Sequence, residues 1–190
     1  SADDGVTWTK PVEITATFDK FRPDYDWKVL ATGPGHGIQL KSGRLLIPVW
    51  LSLGTGGHAH RPSVTSTIYS DDQGKTWQRG EIAVPNTATW INPNETSAVE
   101  LSDGRVLLNV RSESKARRRL VVTSADGATK WSEPRFDEAL LEPVCMASIL
   151  RLPGLSAAGQ GRLLFSNPHA DGRRNLSLKV SEDDGKTWSP

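Results

Sequence analysis

Apolar residues in this chain come in short runs, among them RLLIPVWL, SVTSTIY, SAVEL, RVLLNV, RLVVT, SILRL, RLLFS and NLSLKV, separated by clusters of Gly, Ser, Asp, Asn and Pro. Many of these runs are β-branched or alternate apolar with polar, and none sustains the 3.6-residue period of a helix. The pattern predicts an all-β chain. In the first stretch, strands are expected over Gly37–Leu40, Arg44–Leu51 and Ser63–Tyr69, with Lys41-Ser42-Gly43 as a turn and GTGGHAHRP as a longer loop. The second stretch repeats the scheme with Ser97–Leu101, a turn at Ser102–Gly104, Arg105–Val110 and Arg119–Thr123. A third set follows at Met146–Leu152, Arg162–Ser166 and Asn175–Val180.

One octapeptide, S-x-D-x-G-x-T-W, recurs between these sets, beginning at Ser1, Ser70, Ser124 and Ser181, with spacings of 69, 54 and 57 residues. The copy at Ser124 is degenerate: Ala128 and Lys130 stand where Gly and Thr stand elsewhere, while Ser124, Asp126 and Trp131 are kept. Asp can accept N–H bonds within such a turn, Gly can supply a positive φ, and Trp can pack between sheets. A Gly/Asp turn with one aromatic per repeat, at this period, is the mark of a β-propeller. If the segment after Trp8 (TKPVEIT) is a fourth strand, the tally is 12 strands, or about three blades within a single domain over residues 1–190. Such a set would be cut out of phase, with open edges on its first and last sheets. Either residues outside the chain complete a ring, which is the favoured reading, or two copies associate through those edges.

Composition narrows the function classes. With 23 basic and 22 acidic residues the net charge is +1, which makes no case for a nucleic-acid partner or a membrane surface. The basic run Lys115–Arg119 reads as a solvated hairpin end. No apolar stretch approaches the ~20 residues needed to span a bilayer, and no signal peptide is visible. The lone Cys145 cannot form an internal disulfide and reads as a small buried hydrophobe in an apolar strand. His58-Ala59-His60 offers two metal ligands without a third, so no metal site and no cofactor are expected.

Polar groups that stand out lie where inner strands of a propeller begin and their loops converge: GPGHGIQL (33–40), NETSAVELSDGRVLLNVR (94–111) and HADGRRNLSLKVS (169–181). Glu95 opens one strand and Arg111 closes the next, which brings a carboxylate and a guanidinium toward neighbouring loops. Arg173 and Arg174 open the strand before the last motif. Arginines gathered from different sheets suit an anionic carboxylate ligand, because the planar fork gives bidentate bonds. Any one of them taken alone is an ordinary surface group; their joint placement carries the signal.

These stretches, with the turn motif, resemble the bacterial branch of the exo-α-sialidases, glycoside hydrolases with a six-bladed propeller, and the resemblance covers nearly all of the chain. The 16-residue Glu-to-Arg spacing within NE…ELSDGRVLLN…R is its most discriminating part. The resemblance implies retaining release of terminal α-linked sialic acid from a sialylated glycan, by a Tyr nucleophile assisted by Glu. Three arginines would grip the sugar carboxylate and an Asp would serve as acid/base. It assigns Glu95 as the partner of the Tyr, Arg111 and Arg173 as two of the arginines, with Arg174 the fallback for Arg173, and His36 and Gln39 as contacts in the sugar pocket. It also implies a secreted or periplasmic location. A neutral phenol suits this reaction because a carboxylate nucleophile would be repelled by the substrate's own carboxylate.

The chain departs from that pattern. No Arg-Ile-Pro and early Asp precede Ser1; the nearest string is Phe21-Arg22-Pro23 with Asp24. The only tyrosines are Tyr25 and Tyr69, and Tyr69 lies beside a turn motif. The isolated chain is therefore expected to be inactive. Two alternatives stand beside the sialidase: a non-catalytic carbohydrate-binding or scaffold propeller, and a different propeller glycosidase, which would need paired carboxylates. The glycosylation patterns at Asn94 and Asn175 carry no weight.

Overall fold

The computed structural model describes residues 1–156 and 159–189. Twelve strands and one short helix are present among them, arranged as three antiparallel sheets. In the first sheet β1 (Val29–Thr32) and β2 (Ile38–Gln39) both pair with one edge of β3 (Leu45–Ser52), and β4 (Ser63–Ser70) and β5 (Gln78–Arg79) follow. The second sheet runs β6 (Thr96–Glu100), β7 (Val106–Val110), β8 (Arg118–Ser124) and β9 (Arg135–Leu141) in order. The third contains β10 (Ser148–Leu155), β11 (Gly161–Pro168) and β12 (Leu176–Ser181).

The total matches the expected twelve, but two elements differ. The segment Thr9–Thr15 is not a strand: residues 9–14 have no regular structure, and a helix α1 (Thr15–Asp19) follows. Pro11 removes a ladder donor there, while Phe18 and Phe21 find burial with Trp27 against Val49, Leu51, Val64 and Ile68 of the first sheet. The inner edge of that sheet is longer than expected because Val29–Thr32 extends it toward Ser52. Residues 33–37 bulge out between the two inner pieces, and Pro34 bridges to Thr96 of the second sheet.

Strand alternation explains how the sheets stack. On β6, β7 and β8, Ala98, Val106, Leu108, Val110, Leu120 and Val122 pack toward the first sheet's Leu40 and Leu46. Their neighbours Val99, Leu107 and Val121 pack instead with Ile149, Leu163 and Phe165 of the third sheet. A period of two thus supplies two cores from one sheet, which is why β7 is buried at every position.

The turn motif has the same bonding in its three intact copies. The Ser hydroxyl accepts the Gly amide (Gly5→Ser1 2.8 Å, Gly74→Ser70 2.8 Å, Gly185→Ser181 2.7 Å). The Asp carboxylate accepts both the amide and the hydroxyl of Thr: Thr7 on Asp3, Thr76 on Asp72 and Thr187 on Asp183. The residue before the Gly is left-handed each time, as are the glycines themselves (Asp4, Gln73 and Asp184 at φ 53, 61 and 60). In the degenerate copy the scheme slips by one residue, so Gly127 bonds Ser124 and Thr129 caps Asp126. Its divergence is one of register, not of function.

The basic run at 115–119 is not simply a solvated end. Arg119 is fully buried, pairs with an equally buried Glu142 at 2.5 Å, and donates to Asn109 Oδ1 and the Cys145 carbonyl. Glu142 accepts the Cys145 amide on its other oxygen. The pair fastens β7 and β8 to the segment that leads into β10. A second tie between the sheets is the Trp188 indole, which donates to Asp137 on β9. Burial pushes the Asp137 carboxyl up, partly offset by that indole and the Ala139 amide.

Two measurements check this account. Arg119→Leu strands the Glu142 charge and is expected to cost about 3–5 kcal/mol in urea unfolding, with most of it recovered in the Arg119→Leu/Glu142→Leu double variant; a single-variant loss below about 1 kcal/mol would contradict the role assigned. Acid titration tests the turns. Bonds from Thr76 and Ser70 hold Asp72 at about 2 against an ordinary 3.8, and at Asp126 the Ala128 and Thr129 amides and two hydroxyls outweigh the upward pull of burial to the same value. The unfolded chain takes up these protons first, so the stability they confer is present above pH 3.8 and is lost as pH falls toward 2. Asp72→Asn/Asp126→Asn is expected to flatten that limb of the stability curve.

Candidate functional site

Glu95 and Arg111 meet because the β6–β7 register continues one residue past Thr96↔Val110. The Arg111 amide donates to the Glu95 carbonyl at 2.9 Å, and the Asn94 amide to the Arg111 carbonyl at 3.0 Å. Opposed residues of an antiparallel pair project to one face, so the 16-residue spacing becomes a direct ion pair, Arg111 Nη1 to Glu95 Oε2 at 3.0 Å. Both side chains are largely buried, at 10% and 18% exposure. Arg111 Nε has no hydrogen-bond partner among the described residues. Leaving such a buried donor without a partner costs about 1–3 kcal/mol.

Arg173 and Arg174 lie on the loop that joins β11 to β12, both exposed. Arg173 Nη2 donates to the Val144 carbonyl at 3.0 Å, and Arg117 ties the same loop down by donating to the Asp171 carbonyl at 2.6 Å. Val144 itself is left-handed at φ 57, a strained state for a β-branched residue, and its neighbour Cys145 is buried. Burial and the Glu142 charge push the Cys145 thiol up, while Arg119, Arg173 and Arg111 pull it down. Cys145 lies ahead of β10, not within a strand as the apolar run suggested.

His36 sits in the 33–37 bulge and lines an open pocket of about 540 Å³ with Pro34, Ser97, Met146, Asn167 and Leu176, drawn from all three sheets. Gln39 is elsewhere. It is exposed at the far end of β2, where its amide donates to the Gly43 carbonyl. The nearby Lys41 amide reaches Glu100, five residues along β6 from Glu95, or roughly 16 Å at a strand's rise.

The remaining sequence candidates have other partners. Asp24 pairs with Arg79, and Arg22 with Asp19, Asp26 and the Trp27 ring. The Tyr25 hydroxyl donates to the Pro62 carbonyl and is pushed up to about 12 by burial. Tyr69 bonds Gln78 beneath the Arg44 guanidinium. Asn94 is fully buried and Asn175 exposed. Among the described residues no group of three or more His, Cys, Asp or Glu is placed to hold a metal, and no helix is long and apolar enough to cross a membrane.

Residue-level reading missed a further cluster beside Arg111. Arg61 donates twice to Glu113 Oε1, at 3.0 and 2.9 Å, Asn92 donates to Oε2, and His60 packs on Trp50 with ring centroids 4.9 Å apart. Its only sequence signal was the loop GTGGHAHRP, considered for metal ligation alone.

Three antiparallel sheets packed on one another, with an acid–arginine pair at the open end of the β6–β7 hairpin, define the class by architecture: a propeller-type fold. The model of the BNR repeat-like domain matches residues 1–190, and the chain belongs to that family. It is 35% identical to a sialidase of Bacteroides fragilis over 100% of its length and 37% identical to a sialidase of Micromonospora viridifaciens over 99%. It spans only about a third of these relatives, 32% and 28% respectively. The structure of the Hadza microbial sialidase Hz136 superposes with a TM-score of 0.77 at 32% identity, covering 99% of this chain and 34% of that one.

One prediction follows from the thiol's setting. Cys145 in the folded protein is expected to resist a disulfide reagent at pH 7.5 and to react in full once the chain is unfolded in urea; stoichiometric labelling of the native protein within a minute would refute this.

Proposed function

We propose that this chain supplies part of a sialidase site that releases terminal α-linked sialic acid. In this reading Arg111 and Arg173 grip the sugar carboxylate, with Arg174 the alternative to Arg173. His36 contributes to the adjoining pocket of the three inner strands, and Gln39 lies outside the contact set. The observation that carries the proposal is the Glu95–Arg111 pair at 3.0 Å with a buried guanidinium nitrogen left free. A paired arginine is already oriented and charge-balanced, so a carboxylate ligand can add to the remaining N–H groups without reorganising the site. Glu95, held by Arg111 and partly open, is the carboxylate that would accept the proton of a phenol nucleophile, and retention would follow from two successive displacements, by the phenol and then by water.

A second reading, a non-catalytic sialic-acid-binding propeller, is favoured by one observation: neither tyrosine of the chain stands at Glu95, since both hydroxyls are engaged elsewhere. The two readings separate by assay. The longer protein that carries this chain is expected to hydrolyse a fluorogenic sialoside, with Glu95→Gln lowering kcat by about a hundredfold or more. The 190-residue chain alone is expected to bind sialic acid without turnover. Absence of sialic acid binding, or its persistence undiminished in Arg111→Ala, would overturn the proposal.

A further inference from the structure

Where the outer strands of the second and third sheets meet, cations gather without the acids that balance them elsewhere in the chain. β8, β9 and β12 lie farthest in their sheets from β6 and β10, so this flank stands apart from the pocket that holds His36. Arg118 Nε donates to the Glu138 carbonyl at 2.9 Å, and its Nη1 to the Arg117 carbonyl at 3.1 Å. Lys179 Nζ reaches across from the third sheet to the next carbonyl of β9, that of Ala139, at 2.7 Å. Arg117 Nη2 donates to the Asp171 carbonyl on the loop that carries His169. Every one of these acceptors is a backbone oxygen. A carbonyl fixes a cation's position and leaves its charge in place, whereas the carboxylates paired with Arg111, Arg61 and Arg119 cancel theirs.

The acids on the same segments do not balance these charges. Among the described residues Glu138 is the only salt-bridge partner of Arg117, Arg118 or Lys179, at 3.6 Å from Arg118 and 82% exposed. Asp137 is buried and takes the Trp188 indole, and the exposed Asp171 lends Arg117 its carbonyl. Burial pulls the His169 imidazole down, and Lys179 and Arg118 pull it further; burial and Arg118 lower the Lys179 ammonium against the opposing pull of Asp137. The His169 ring is therefore uncharged at neutral pH, able to donate and to accept. Like charges held close by their bonding are relieved by a ligand that brings several anionic groups. Stacking on nucleic-acid bases calls for Trp, Tyr or Phe, and none stands among Arg117, Arg118, His169 and Lys179. Free guanidinium edges and a neutral imidazole fit oxyanions and hydroxyls instead. We infer that this flank binds a polyanionic saccharide, a chain of sugar units bearing sulfate esters or carboxylates, at a site separate from the candidate site and independent of the function proposed above. The two guanidiniums grip anionic groups, Lys179 adds a point charge, and His169 takes a hydroxyl.

The test is NMR titration of the 190-residue chain with three separate probes: a sulfated tetrasaccharide derived from heparin, a hyaluronan tetrasaccharide and a single-stranded oligonucleotide. The sulfated probe, alone or together with hyaluronan, is expected to shift the His169 ring signals, its affinity falling about tenfold between roughly 50 and 200 mM salt; whether hyaluronan also binds tells carboxylate from sulfate. Arg118→Gln/Lys179→Gln removes two charges while its amides can still donate to the same carbonyls, and is expected to lower the affinity about tenfold. Lys10→Gln/Lys75→Gln removes the same charge from exposed positions elsewhere and is expected to change nothing. If the first double variant fails to fold in a thermal melt, Arg118→Gln and Lys179→Gln are measured singly. An equal loss in the Lys10/Lys75 variant, displacement of the saccharide by free sialic acid, tighter binding of the oligonucleotide, or no binding of either saccharide would each overturn the inference. Sialic acid binding that needs Arg111, with no saccharide shift at His169, would overturn this site and leave the proposed function standing.

Discussion

Two arginines on neighbouring strands, with a carboxylate assigned to each, are the constraint from which this structure follows. Arg111 lies one residue past the end of β7, and Arg119 lies one residue before Leu120, the partner of Val110 on β8. Like charges on adjacent strands repel, and neither side chain could be buried uncompensated. The compensation is asymmetric. Glu142 gives Arg119 a partner that is entirely buried, and Asn109 and the Cys145 carbonyl take further donors. Glu95 gives Arg111 a partner at the edge of solvent and leaves one nitrogen free. One arginine became part of the frame, and the other is the one that the proposed function assigns to a ligand.

The frame places the site because the same strands carry both. Alternation on β6, β7 and β8 commits one face to the first sheet and the other to the third, so the ends of these strands converge where the loops of all three sheets can meet. The Arg119–Glu142 pair then fixes the run that enters β10, including the Val144 carbonyl that receives Arg173. A loop that reaches across sheets in this way would wander if its anchor were exposed. Burial of the anchor, not any feature of the loop, gives the exposed Arg173 a defined position.

Much of this was legible in residues alone. The turn motif and period-two runs gave strand positions, and the Glu95–Arg111 spacing put both residues at one end of a hairpin, because local bonding and register depend on nearby sequence; their direct ion pair was not foreseen. What escaped notice depends on tertiary partners. TKPVEIT reads as a strand until Pro11 and the burial of Phe18 and Phe21 favour a helix nearby. Arg119 reads as one more basic residue until Glu142, 23 residues on, is brought beside it. Gln39 and His36 belong to one motif, yet the 33–37 bulge separates their surroundings, which no spacing rule conveys.

The degenerate turn shows how tolerance and function divide along the chain. Moving Gly and Thr one residue earlier leaves the Asp126 carboxylate filled by two amides and two hydroxyls, so a turn survives a slip that a sequence pattern scores as decay. A slip of one residue in β6 against β7 would act otherwise. It would send Glu95 and Arg111 to opposite faces, exchange the two apolar cores and leave Arg119 facing different neighbours. Turns in this fold need only satisfy their own polar groups, whereas the β6–β7 register answers at once to two cores and to the largely buried Glu95–Arg111 ion pair. The constraint on the proposed site and the constraint on folding are the same constraint there, and β6 and β7 are buried at every position but Glu100.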